Sequence, residues 1–178
     1  MSAGRVIFTG AMLWVGAMLP FPGIASAGKT ASACAAPVFH ELDFWIGDWD
    51  TFDTGKPDEL SQARNHVTSI LGGCVLLEHY TQTDGLVGES FTIYDASRKR
   101  WHQSWVTNRG SLLVIEGRME GKRLVMYGDT RNADGQPLRL RAAWWPVAGG
   151  VRELAETSAD AGKSWNTLFD ITFRPHPG

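Results

Sequence analysis

Few side chains in this 178-residue chain are suited to chemistry, and those few stand among large apolar neighbours. Glu78 sits between Leu76 and Tyr80 at the two-residue spacing of one strand face, and Glu156 sits likewise beside Leu154. Gln103 lies between Trp101 and Trp105, while Arg141 shares a face with Ala143 and Trp145. A polar group flanked in this way must be hydrogen-bonded or charge-paired once it is buried. The pattern predicts an apolar pocket with a few polar anchors. Glu78, Gln103, Arg141 and Glu156 would point inward, with Trp49, Tyr80, Trp105 and Trp145 as walls. The same groups would equally serve as an internal structural network in which Arg141 neutralises one glutamate. A third reading is catalytic: Glu78 or Glu156, its pKa raised by burial, acting as general acid or base in an isomerisation, cyclisation or lyase reaction.

Other chemistries lack their residues. There is no GxSxG motif, and covalent acyl transfer has no obvious nucleophile. The histidines His40, His66, His79, His102 and His176 show neither His-x-His nor HExxH spacing, so no protein metal site and no cofactor is predicted. His79 beside Glu78, and His102 beside Gln103, would point to opposite faces of their strands. Ser158-Ala159-Asp160-Ala161-Gly162-Lys163-Ser164-Trp165 reads as an Asp-box. In such a turn the aspartate accepts backbone N–H groups, the glycine takes positive φ, and the tryptophan packs beneath the hairpin. That role is structural. The embedded Gly-Lys-Ser is no phosphate loop, because Thr157 stands where the first glycine belongs.

Short strands must position these residues. Phe39 to Asp50, FHELDFWIGDWD, reads as a first strand with Trp45, Gly47 and Trp49 on one face, the glycine marking a bend or a close backbone approach. Further strands follow at intervals of roughly ten residues, split by turn signals such as Asp84-Gly85, Asn108-Arg109-Gly110 and Gly149-Gly150. No segment keeps a helical period over three turns. Sequential hairpins pair antiparallel. The expected fold is all-β, an antiparallel up-and-down barrel of about eight to ten strands with room for one small ligand. A two-sheet sandwich is the rival.

Charged residues make up 20% of the chain and apolar ones 43%, which fits a globular domain with a sizeable core. The net charge is −2 without a basic block, which argues against nucleic acid as a partner. The expected partner is a small apolar or amphipathic molecule, and the oligomeric state stays open. Residues 1–27 read as a secretory signal peptide: Arg5, an apolar run from Val6 to Leu19, and the small-x-small site Ala25-Ser26-Ala27. A flexible arm over 28–38 and a barrel over 39–174 would follow. With the leader removed, no membrane association is expected, and the location would be periplasmic or secreted. In such an oxidising compartment the pair Cys34 and Cys74 reads as a disulfide, with two buried thiols as the alternative.

The motifs FWIGDWD, GGCVLLEHY, SFTIYD, WHQSWV and ETSADAGKSW resemble a group of secreted bacterial lipocalin-like (calycin-type) barrel proteins of unknown function. The resemblance runs from Cys34 to Phe173. It implies the barrel, secretion and the disulfide, and it brings no catalytic residue. Nitrobindin-like haem barrels share the character of the opening strand without a matching histidine context; a haem-binding barrel is the further alternative.

Overall fold

The computed structural model describes residues 33–56 and 58–178. The expected leader over 1–27 lies outside the described residues, as do residues 28–32 of the arm. Ten strands follow one another: β1 (Gly47–Asp53), β2 (Ala63–Ile70), β3 (Val75–Gln82), β4 (Val87–Asp95), β5 (Arg100–Thr107), β6 (Leu112–Glu120), β7 (Arg123–Arg131), β8 (Pro137–Val147), β9 (Gly150–Ser158) and β10 (Asn166–Pro175). Each pairs antiparallel with the next, and β10 returns to pair with β1, closing the barrel. Closure leaves no row of unpaired backbone groups at an edge. The turn residues act as their chemistry requires. Asp84 accepts the Leu86 N–H at 3.0 Å, and Gly85 takes φ +86°.

The first strand is shorter than the sequence implied, and its leading half is not a strand. Pro37–His40 and Asp43–Trp45 form two 3-10 turns, and β1 begins only at Gly47. Side chains three apart eclipse one another in a 3-10 turn. Leu42 and Trp45 therefore enter the interior together, 1% and 2% exposed. The aromatic density of this stretch makes a plug rather than a wall. Trp45 meets Trp144 and Phe173 with ring centroids 5.8 and 6.4 Å apart, and its carbonyl accepts the Trp49 indole N–H at 3.0 Å. Trp101 donates to Glu41 at 3.0 Å, and Phe39 meets Tyr94 edge-on at 5.5 Å. One end of the barrel is thus closed by its own N-terminal segment. Gly47 has no Cβ because the Trp49 ring covers that place.

A disulfide between Cys34 and Cys74 fixes the plug, spanning 40 residues of sequence. Cys34 is buried, so the described part of the arm is held at this point. Chain-entropy reasoning for a loop of this size gives about 3–4 kcal/mol. We expect the Cys34→Ser/Cys74→Ser double variant to lose about that much in urea unfolding, with the native fold retained.

At the opposite end the Asp-box behaves as its sequence implied. Asp160 accepts the Ser164 N–H at 2.9 Å and the hydroxyls of Ser158 and Ser164 at 2.7 and 2.6 Å. Gly162 takes φ +89°, and the Trp165 indole donates to its carbonyl at 3.1 Å. The hydroxyl and amide donors around Asp160 hold its carboxyl well below the usual range.

Candidate functional site

Alternating burial along the strands sorts the side chains into an inner and an outer set. At mid-height the inner set is polar. Asn65 of β2, Glu78 of β3, Ser90 and Thr92 of β4 and Gln103 of β5 are all buried. They form one chain of hydrogen bonds. Gln103 Nε2 donates to Thr92 Oγ1 at 3.0 Å and to Ser90 Oγ at 3.3 Å. Ser90 Oγ in turn donates to Glu78 Oε2 at 2.7 Å, and Asn65 Nδ2 donates to Glu78 Oε1 at 2.9 Å. Neighbouring strands bring these groups together: Asn65 lies two residues along β2 from the Val67–Glu78 pair, on the same face, and Glu78 is directly opposite Ser90. Lost hydration raises the Glu78 carboxyl to about 7, and the Ser90 and Asn65 donors only partly oppose that shift.

A second carboxyl faces the same space. Glu153 of β9 lies opposite Trp144 of β8, on the face that carries Leu140 and Ala142. Its pKa lies well above the ordinary carboxylate value. Loss of hydration is the first cause, and the negative charge of Glu78 is the second. The Trp144 indole N–H works against that shift, although no hydrogen bond of normal geometry forms there. Glu153 nevertheless keeps part of its surface exposed. Tyr80 has the same character. Its hydroxyl is pushed up by burial and by the charges of Glu153 and Glu78, and it too keeps part of its surface exposed.

Above the carboxyls the wall is aromatic. Tyr80 and Trp105 meet edge to face, their planes 75° apart and their centroids 5.9 Å apart. The Trp105 ring lies where a Cβ on Gly88 would stand, so Gly88 is what lets the indole fold against β4. Leu113 and Ile171 complete a half-exposed upper interior. The plug tryptophans close the lower end, so the upper end is the mouth.

Five of the expected pocket residues thus face the interior: Trp49, Glu78, Tyr80, Gln103 and Trp105. Trp49 belongs to the packed floor, whereas Tyr80 and Trp105 stand nearer the mouth. The other three do not face inward. Arg141 and Glu156 pair on the outer wall at 2.6 Å, and the Arg141 guanidinium stacks on Trp165 at 4.4 Å. Trp145 is outside as well, lying 4.2 Å beneath Arg123 and 5.3 Å from Arg152. The reason is parity. Trp144 and Trp145 are adjacent, only one can face inward, and Trp144 is the one that meets the plug. Sequence reasoning missed Glu153 for the same reason. The signal was present: the tight turn after Val147 pairs it with Gly150, which puts Glu153 opposite Trp144.

Two surface depressions of about 210 and 470 Å³ flank Glu116 and Asp95 on the outer wall, and neither is lined by the interior carboxyls. The five histidines each face a carboxylate outside the barrel, so an interior haem would lack its usual histidine ligand. Among the described residues no cluster of histidine, cysteine and carboxylate side chains is grouped to hold a metal ion. Compared with known proteins, the chain matches no family model and no curated sequence. The closed antiparallel barrel is itself consistent with a calycin-like architecture.

Proposed function

We propose that the barrel binds one small, largely apolar molecule in its upper interior. The guest lies against Tyr80, Trp105 and Leu113, with its polar end directed down toward Glu153 and Glu78. The observation that carries this reading is the buried hydrogen-bonded chain of Asn65, Glu78, Ser90, Thr92 and Gln103 lying beneath the partly exposed Tyr80–Trp105 pair. An aromatic mouth above a few convergent polar groups is the usual composition of a small-molecule site. A periplasmic or secreted setting belongs to the same proposal. The Cys34–Cys74 bond supports it, because such bonds persist in oxidising compartments.

The test is a titration with a neutral fluorescent probe, N-phenyl-1-naphthylamine. We expect saturable binding at one site per chain and quenching of tryptophan emission. Leu113→Trp, which narrows the mouth, should weaken binding at least tenfold without lowering the melting temperature by more than a few degrees. Binding that ignores both Leu113→Trp and Trp105→Ala would place the probe on the outer surface and refute the proposal.

One observation favours a second reading. A carboxyl near 7 inside a hydrogen-bonded chain is matched to proton transfer at neutral pH. Glu78 would then be a general acid or base acting on the bound molecule. In that case Glu78→Gln abolishes turnover while the probe still binds.

A further inference from the structure

The outer wall carries a second arrangement of reactive groups. His102 and Ser104 lie two residues apart on the outer face of β5, and Glu116 of β6 is directly opposite His102. His102 Nδ1 meets Glu116 Oε1 at 3.0 Å, and His102 Nε2 meets Ser104 Oγ at 2.8 Å. The His102 and Arg98 donors hold the Glu116 carboxyl below its usual range, and a carboxylate can only accept. The ring proton therefore sits on Nδ1, and Nε2 accepts the Ser104 hydroxyl. This is a nucleophile held by a base that a carboxylate orients. Strand pairing assembles it, so no short sequence motif marks it. A looser array of Thr81, His79 and Glu89 stretches to 3.5 and 3.2 Å. Its His79 and Glu89 side chains are 52% and 51% exposed, against 25% and 26% for His102 and Glu116. The tighter array also has a built surround. Ser104 is flanked across the strands by Phe91 and Val114 and along β5 by Val106, all three exposed. His102 borders the depression of about 470 Å³ together with Ile93, Tyr94 and Arg98.

The geometry points to an acyl-transfer site on the outer wall: Ser104 takes the acyl group of an activated carboxylic ester, with His102 as general base and Glu116 as its positioning residue. Ser104 Oγ bonds to the carbonyl carbon while its proton passes to His102 Nε2. When the tetrahedral intermediate collapses, the bond to the leaving oxygen breaks and that oxygen takes the proton from His102. Water then attacks the acyl-serine in the same way, releasing the carboxylic acid and restoring the hydroxyl. The acyl group rests on Phe91, Val106 and Val114, and the leaving group lies over His102 in the depression. β5 is paired on both sides, so its backbone N–H groups belong to the sheet and form no oxyanion hole. Lack of one such donor costs about 10²–10³-fold in rate. The substrates are therefore esters with a good leaving group, such as aryl esters. The acyl-serine is an ordinary alkyl ester and hydrolyses slowly. The interior takes no part, so this inference stands or falls separately from the interior-binding reading.

Two probes test it on the full chain. With 4-nitrophenyl acetate we expect a burst of one nitrophenolate per chain followed by slow turnover, and peptide mapping should find the acetyl group on Ser104. A fluorophosphonate, whose fluoride Ser104 Oγ displaces, should label the same hydroxyl once per chain. Both results need only the wild-type protein, so a variant that folds poorly does not spoil the test. Ser104→Ala should abolish the burst and the label. His102→Gln should slow acylation about a hundredfold or more, the usual worth of a positioned base. Glu116→Gln should slow it about tenfold or more with KM and the melting temperature unchanged, because the ring loses its fixed tautomer. His79→Gln, in the looser array, should change nothing. An acetyl group found only on lysine or histidine, or folded wild-type protein that leaves Ser104 free of the fluorophosphonate, would overturn the inference. So would a burst that Ser104→Ala or His102→Gln leaves undiminished.

Discussion

Raising the pH from 5 to 8 is expected to cost the protein about 3 kcal/mol of stability from Glu78 alone, with Glu153 adding in the same direction. In the unfolded chain Glu78 titrates near 4.5, and in the barrel it titrates at about 7. Between those values the folded state holds a proton that the unfolded state has lost. Stability must then fall as pH rises, until the folded carboxyl ionises as well. A difference of this size corresponds to about 3 kcal/mol at 1.36 kcal/mol per unit. The outer carboxyls act in the opposite sense. Asp170, bonded to Arg152, and Glu116, bonded to His102 and Arg98, are held below their ordinary values. Their contribution is present at neutral pH and is lost as pH falls below about 4. Stability should therefore peak near about pH 5. Urea midpoints across the range measure it directly. Glu78→Gln, which cannot ionise, should remove most of the decline between pH 5 and 8. A wild-type curve that rises over this interval, or a variant with an unchanged slope, would show that the carboxyl is solvated and the interior open to water.

Trp45→Ala should lower the unfolding free energy by about 3–5 kcal/mol, the usual cost of deleting a fully buried indole. Trp45 is 2% exposed and packs against Trp144 and Phe173, which come from strands far away in the chain. Removing it opens the lower end of the barrel and leaves the Trp49 indole bonded to a less firmly held carbonyl. Trp45→Phe should cost much less, about 1–2 kcal/mol, because the Trp45 indole N–H is buried without an acceptor and its loss removes a polar burden. Chemical unfolding of both variants checks the pair. An alanine cost below about 1 kcal/mol would mean that the 3-10 segment does not close the barrel.

The barrel was legible because its strands are bounded by residues with strong local demands. Asp84-Gly85, Asn108-Arg109-Gly110 and Asn132-Ala133-Asp134-Gly135 mark hairpins wherever they fall, and ten runs between such marks leave little choice of topology. Glu78, Gln103 and Trp105 were also legible, since each lies on a strand whose alternation is unbroken. Parity failed where large apolar residues are adjacent or an extra residue intrudes. On β8 the Trp144-Trp145 pair offers two equally apolar faces, and only contact with the plug decides between them. That single ambiguity put Arg141, Trp145 and Glu156 inside and left Glu153 out. On β10 the register shifts between Thr167 and Phe169, so Trp165 and Thr167 lie outside while Phe169, Ile171 and Phe173 follow the inner face. The opening segment misled for another reason. Its aromatic residues suit a strand, but their burial follows a spacing of three, which only the packing of Leu42 and Trp45 against the finished barrel imposes.

The tryptophans offer the most direct measurement of whether the interior holds a guest. Trp105 and Trp144 belong to the inner set, and Trp145 and Trp165 to the outer one. In an NMR titration of the isotope-labelled protein with the neutral naphthylamine probe, the indole N–H signal of Trp105 should shift most. Trp144 should follow it, and Trp145 and Trp165 should stay within the noise. Shifts confined to Trp145 and Trp165, with Trp105 unmoved at saturation, would contradict the account.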